Sequence, residues 1–210
     1  DQQKASWREF AAHSEKLKDV RTRRFEYGRF SLALQFNPGR IKSTAAPLDP
    51  DAINGRRCFL CQEHLPGEQK GILYRGSYII LCNPYPIFPG HLTIAHRQHQ
   101  PQAIEKEFIA LLRLAEDFGP DHLVFYNGPQ CGASAPDHLH FQGSPKGLMP
   151  IEQNLLHAGS PFDRKRIDGT DITRFHGFGR EIVMLEGREI SEVAAVMGRF
   201  CDVMKQVLHR

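Results

Sequence analysis

His138, His140 and Gln142 recur at every second position of the segment Gly-Ala-Ser-Ala-Pro-Asp-His-Leu-His-Phe-Gln, with apolar Leu139 and Phe141 between them. A period of two belongs to a strand, on which alternate residues share a face. Two imidazoles and one amide would then line one face, and Leu139 and Phe141 would turn to the core. A neutral imidazole is a nucleophile. The loop ahead of this strand holds Asn127, Gly128, Gly132 and Ser134. Its small residues let backbone N–H groups approach a ligand, and such groups suit phosphate oxygens. An imidazole facing them is placed to attack phosphorus, and Gln142 is placed to hydrogen-bond the phosphate without moving a proton. A bare His-x-His pair more often marks a solvent-facing strand; the loop and the trailing Gln set this one apart.

A second constellation is Cys58-Phe-Leu-Cys61, which has the spacing of a zinc-ligand pair. A closed tetrahedral site needs two more ligands, and residue type leaves His64, His96, His99 and His138 as candidates. The competing reading is a pair of free, partly buried thiols. A thioredoxin-like role fits poorly, because no βαβ pattern surrounds the pair. Cys82, Cys131 and Cys201 read as core or loop residues. His91 reads as a turn or packing residue. His157, His176, Lys146 and the Arg164-Lys165-Arg166 run read as solvated surface.

The elements that must position these groups follow from apolar periodicity. Trp7, Phe10, Ala11, Ser14 and Leu17 predict a helix over 6–22. Phe30, Leu32, Leu34 and Phe36 alternate as a strand ended by Asn37-Pro38-Gly39. Residues 43–55 read as a loop. Residues 72–74 and 78–82 form a candidate hairpin through Arg75-Gly76-Ser77, followed by a strand over 91–96. Ile104, Phe108, Leu111, Leu112, Ala115 and Phe118 predict a helix over 102–118. Strands follow at 122–126 and 138–142. Residues 143–180 show little periodicity, and a final strand and helix close the chain. This order favours an α+β fold with an antiparallel sheet over alternating βαβ units.

The 210 residues suffice for one sizeable domain, and 40% hydrophobic with 24% charged residues is ordinary globular composition. Lys plus Arg is 27 against 24 Asp plus Glu, a net charge of +3. That is too mild to indicate nucleic acid. No apolar run approaches the roughly 20 residues of a membrane span, and no signal peptide opens the chain. An odd count of five cysteines, with one close pair, reads as a metal or redox site in a reducing compartment, the cytoplasm, rather than a disulfide framework.

These motifs carry a family resemblance. "GASAPDHLHFQ" resembles the active-site segment of the histidine-triad superfamily, in the His-x-His-x-Gln branch. That branch holds galactose-1-phosphate uridylyltransferase, diadenosine tetraphosphate phosphorylase and the nucleotide-sugar phosphorylases. "NPYPIFPGHLTIAHRQH" resembles the same superfamily's strand–loop–strand, and "QFNPGRIKS" followed by "CFLC" is similar to the N-terminal part of the uridylyltransferase branch.

The resemblance implies a HIT-like antiparallel sheet with flanking helices. It also implies a nucleotidyltransferase or phosphorylase acting on a nucleotide-sugar or dinucleoside polyphosphate. His140 would attack the α-phosphorus and form a nucleotidyl-histidine, and Gln142 would hold the phosphate. Asn127 and Ser134 match phosphate-contacting positions. Phosphate or a sugar phosphate would accept the nucleotidyl group. In zinc-bearing members, positions matching His99 and His138 complete a structural Zn2+ site with the cysteine pair. A nucleotide hydrolase of the same superfamily is the first alternative, and a zinc-stabilised, non-catalytic nucleotide-binding protein the second.

Two features depart from the pattern. Asp137 stands between Pro136 and His138, where relatives run Ser-x-Pro-His. The transferase branch also has two such halves. The expected organisation is therefore an N-terminal helix, strand and linker over 1–55 and a nucleotide-binding core over 56–147. Residues 148–210 would be an accessory segment or the truncated start of a second half. A homodimer is one way to complete the pocket.

Overall fold

The computed structural model describes residues 2–40, 49–131, 133–156 and 162–208. Along the chain come helices α1 (Gln2–Ser6) and α2 (Arg8–Glu15), then strands β1 (Arg21–Tyr27) and β2 (Phe30–Phe36) and helix α3 (Pro50–Gly55). Strands β3 (Gly71–Tyr74), β4 (Tyr78–Cys82) and β5 (Leu92–His96) follow, then helix α4 (Phe108–Phe118) and strands β6 (His122–Phe125) and β7 (His140–Pro145). Helix α5 (Pro150–Leu156), strands β8 (Phe162–Ile167), β9 (Thr170–Phe175) and β10 (Ile182–Glu186), and helix α6 (Ile190–Leu208) complete the order. The fold is α+β with antiparallel sheets, as the element order predicts. Among the described residues no helix is long and apolar enough to cross a membrane.

Contacts divide the chain into two units that interleave in sequence. The first takes residues 1–22, 35–104 and 120–148. Its five-stranded sheet runs β3-β4-β5-β7-β6. The β3–β4 hairpin turns through Arg75 and Gly76, both at positive φ (46° and 74°). Within β7 the alternation anticipated from sequence holds. Phe141 is fully buried and stacks on Tyr78 with ring centroids 5.4 Å apart, and Leu139, just ahead of the strand, is equally buried. On the opposite face, Ala95 lies across from His140 and joins a core with Leu81, Ala135, Cys58, Leu60 and Cys61.

The Asn-Pro-Gly-Arg segment has a structural task in this unit. The Pro-rich loop 83–90 cannot offer a full ladder of N–H donors, and its carbonyls need partners. Gln35 Nε2 donates to Ile87 O at 3.2 Å and Asn37 Nδ2 to Pro86 O at 3.1 Å, and Arg40 Nη1 donates to Tyr85 O.

The second unit takes residues 23–34, 105–119 and 149–210. Its sheet runs β10-β9-β8, and α4 packs on α6. Asn154 fastens α5 to β2: its Oδ1 accepts the Ser31 N–H at 3.1 Å, and its Nδ2 donates to Ser31 O at 3.4 Å.

Several boundaries differ from the sequence expectation. The helix over 6–22 is broken at Trp7, whose backbone is extended (φ −127°, ψ 93°) and whose buried ring stacks on Phe10. Its end is replaced by β1, because Arg21–Tyr27 pairs with β2 across the Gly28 turn (φ 57°). Residues 50–55 are helical, capped by the Asp49 carboxylate on Ala52 N–H at 2.9 Å. Residues 43–48 of the expected loop lie outside the described residues. The long helix starts at Phe108 rather than 102, and the triad strand at His140 rather than His138. Residues 162–175 form the β8–β9 hairpin, turning at Asp168-Gly169 with positive φ at both positions.

Phe141→Ala should lower the unfolding free energy by about 3–5 kcal/mol. Urea denaturation checks this, and a loss under about 1 kcal/mol would contradict the packing around that ring.

Candidate functional site: a histidine-lined cavity beside a Cys–His cluster

Hydrogen bonds on one ring nitrogen decide the chemistry of the other. His140 Nδ1 lies 2.9 Å from His138 O. A carbonyl only accepts, so Nδ1 carries the hydrogen and Nε2 keeps the free lone pair. His140 is 6% exposed, and burial pushes its pKa below the usual imidazole value. The ring is therefore neutral at pH 7, with an unprotonated Nε2.

Gln142, two residues along the same face, is gripped at both ends of its amide. Ile87 N–H donates to His91 Nδ1 at 3.3 Å, which puts the ring proton on Nε2; that proton goes to Gln142 Oε1 at 2.7 Å. Gln142 Nε2 in turn donates to Asn127 Oδ1 at 2.9 Å. His91 is 3% exposed, and burial, opposed by its bond to Gln142, pulls its pKa down to about 4. A neutral His91 thus sets the orientation of the amide.

His140, Gln142, Asn127 and Ser134 line one cavity of ≈ 500 Å³. Arg40 lines the same cavity, as do Trp7, Tyr85 and Phe125. Burial lowers the Arg40 pKa, yet a guanidinium keeps its charge. The space thus combines aromatic walls, a fixed cation and a basic imidazole nitrogen.

The cysteine pair meets two histidines. Cys58 Sγ is 3.2 Å from His138 Nδ1, and Cys61 Sγ is 3.3 Å from His99 Nδ1 and 3.6 Å from His138 Nδ1. The four donor atoms lie within 4.8 Å of one another. Two ligands on a tetrahedral zinc would stand about 3.5 Å apart for a sulfur and a nitrogen. The donor set fits in protonation as well. His138 Nε2 sits 2.7 Å from His96 O and carries the hydrogen, so Nδ1 offers its lone pair to the sulfurs. Burial, reinforced by Cys58, pushes the Cys61 thiol up to about 11, a cost that a divalent cation would offset. Of the competitors, His64 stands with Cys61 and Glu63 in a second, more exposed group, and His96 is in neither group. His64 Nδ1 donates to Cys58 O at 2.8 Å, and His96 Nδ1 accepts the Gln98 N–H at 3.2 Å.

Asp137, the residue that interrupts the family pattern, pairs with Arg56 at 2.6 Å. Arg56 also lies over the Phe59 ring, 4.9 Å from its centroid. The pair ties the loop bearing the cysteines to the residue before His138.

The structure thus brings the predicted residues into two adjoining groups. One is Cys58, Cys61, His99 and His138; the other is Asn127, Ser134, His140 and Gln142. Gly128 opens a turn closed by the Cys131 N–H at 2.9 Å and is not among the residues lining the cavity. Gly132 lies outside the described residues. Sequence reasoning assigned His91 to the turn or to packing, and the structure adds its hydrogen bond to Gln142. It passed over Arg40 and Gln102. A lone polar residue after Pro101 carries no signal of its own.

The model of a family described as a domain of unknown function (DUF4922) matches residues 1–145. The chain belongs to that family. No curated protein matches it. Among solved structures, yeast Ap4A phosphorylase Apa2 in complex with AMP is similar at 17% identity and a TM-score of 0.50, covering 96% of this chain and 70% of that one. The same enzyme in complex with Ap4A matches at 19% identity and a TM-score of 0.40, covering 80% of this chain and 59% of that one. The likeness to the AMP complex is one of fold. DUF4922 membership covers every residue of both groups described above.

Between pH 6.5 and about 4 the unfolded chain binds a proton on His91 that the folded chain does not, so acidification through that window favours unfolding. Across it, wild type should lose on the order of 3 kcal/mol more stability than His91→Gln. Urea titrations at the two ends of the window measure this, and equal losses would show that His91 is not held neutral.

Proposed function

We propose that the protein is a nucleotidyltransferase or phosphorylase of the histidine-triad type, acting on a dinucleoside polyphosphate or nucleotide-sugar through His140. The observation that carries this reading is the committed proton of His140. With Nδ1–H bound to His138 O, Nε2 is the unprotonated nitrogen, and it belongs to a side chain lining the cavity. The fold likeness to yeast Ap4A phosphorylase supports the substrate class.

In this mechanism the Nε2 lone pair attacks the α-phosphorus. The bond to the leaving phosphate oxygen breaks, and the leaving group takes the electron pair. Gln142, held by His91 and Asn127, donates to a nonbridging oxygen without itself gaining or losing a proton. Asn127 and Ser134 contribute to the phosphate-binding wall, and Arg40 offsets the charge of the leaving group. Attack by inorganic phosphate or a sugar phosphate then breaks the P–N bond and frees His140. Residues 56–147 form the catalytic core of this reading.

Cys58, Cys61, His99 and His138 are proposed to hold one structural zinc. Such an ion would cross-link the cysteine loop to the residue whose carbonyl sets the His140 tautomer.

Mass spectrometry after exposure to diadenosine tetraphosphate and to a panel of nucleotide-sugars should show a nucleotidyl adduct. His140→Asn should remove the adduct and lower turnover by at least about 10³-fold. Unaltered turnover in that variant would sink the proposal. Release of nucleotide with no added acceptor would instead mark a hydrolase.

Elemental analysis of the purified chain should find about one zinc per chain, lost in the Cys58→Ser, Cys61→Ser double variant. No zinc in the wild type would remove the metal from this account.

A further inference from the structure

The strand carrying His140 has a gap in its ladder. In β7 the backbone N–H and C=O of His140 point away from β5, toward the side where β6 pairs with Gln142 and later residues. Strand β6 ends at Phe125, opposite Gln142, so no strand residue meets His140 on that side. An N–H and a C=O left unpaired in a buried position are costly.

The side chain of Gln102 fills that gap. Its Oε1 accepts the His140 N–H at 2.8 Å, and its Nε2 donates to His140 O at 3.1 Å. The same Nε2 donates to Asn127 O at 2.9 Å, where the chain has left β6. One side-chain amide thus takes the place of a missing backbone rung and joins His140 to Asn127. Gln102 is 3% exposed, and its own carbonyl accepts the Tyr126 hydroxyl at 2.7 Å. The turn at Pro101, with Ala103 N–H donating to Pro101 O at 2.8 Å, keeps this residue out of the following helix. The next residue backwards contributes too, since Gln100 O accepts the Leu139 N–H at 2.8 Å.

We propose that Gln102 is a positioning residue for the nucleophile: its amide holds the His140 backbone and the Asn127 backbone in one register, so that Nε2 and the Gln142 amide address the same phosphate. This rests on the reading of His140 as the nucleophile. Gln102 does not line the cavity, and its effect passes through the two residues it joins.

The test uses the full chain with diadenosine tetraphosphate and inorganic phosphate. Gln102→Met keeps the length of the side chain and removes all three of its hydrogen bonds. It should lower kcat by about 10²-fold, the order expected for a nucleophile displaced by 1 Å, with KM within about twofold because the cavity wall is untouched. Gln102→Glu keeps the acceptor for the His140 N–H and should fall between Met and wild type. Amide exchange measured by NMR should accelerate selectively at His140 in Gln102→Met, while His140 in Gln102→Glu, which keeps the acceptor, and Phe141, paired into β5, stay protected. A turnover unchanged in Gln102→Met, or a loss carried by KM with kcat intact, overturns the proposal. So does an unchanged His140 exchange rate in Gln102→Met. A wild-type chain that gives neither turnover nor adduct removes the nucleophile reading itself, and this proposal with it.

Discussion

An imidazole has two nitrogens, and a partner on one of them fixes what the other is able to do. This constraint governs the whole candidate site. His138 commits Nε2 to His96 O and turns a lone pair on Nδ1 toward two sulfurs. His140 commits Nδ1 to His138 O and keeps a lone pair on Nε2. His91 takes the opposite arrangement, with an accepting Nδ1 and a donating Nε2, and thereby orients Gln142. Three histidines of one residue type acquire three roles from the carbonyl, amide or backbone N–H beside them. Burial reinforces the pattern for His91 and His140 by disfavouring the cationic ring, which would break it.

The second theme is the use of side chains where the backbone ladder fails. The Pro-rich loop 83–90 leaves carbonyls that Gln35, Asn37 and Arg40 satisfy. The early end of β6 leaves His140 facing nothing until Gln102 inserts. Gaps of this kind put irregular backbone next to a cavity, and polar side chains then make the irregularity affordable. Asp137 belongs to the same logic. It interrupts the expected Ser-x-Pro-His pattern and meets Arg56, so the extra residue becomes a tie between the cysteine loop and the strand entry.

Where sequence reading went astray, a tertiary partner had overruled a local pattern. The helix expected over 6–22 runs into Arg21 and Thr22, but pairing with β2 draws Arg21–Tyr27 into a strand. Residues 102–107 continue the apolar face of α4, but Gln102 is needed at His140 and the helix starts later. The β8–β9 hairpin is too charged to show alternation, and its one local signal, Asp168-Gly169, lay in the turn.

The sequence by itself determined the pieces whose meaning is local. These are the period-two placement of His138, His140 and Gln142, the Cys58–Cys61 spacing, the hairpin at Arg75-Gly76, and the antiparallel α+β class. Each is set by neighbours a few residues apart, and short-range sterics and alternation write them directly into residue order. Only the tertiary structure decided which histidines face the cysteines, that His91 grips Gln142, that Arg40 shares a cavity with His140, and that Gln102 completes the strand. Those relations join residues 38 to 100 positions apart. Burial and hydrogen-bond satisfaction select them, and both depend on the whole chain having folded.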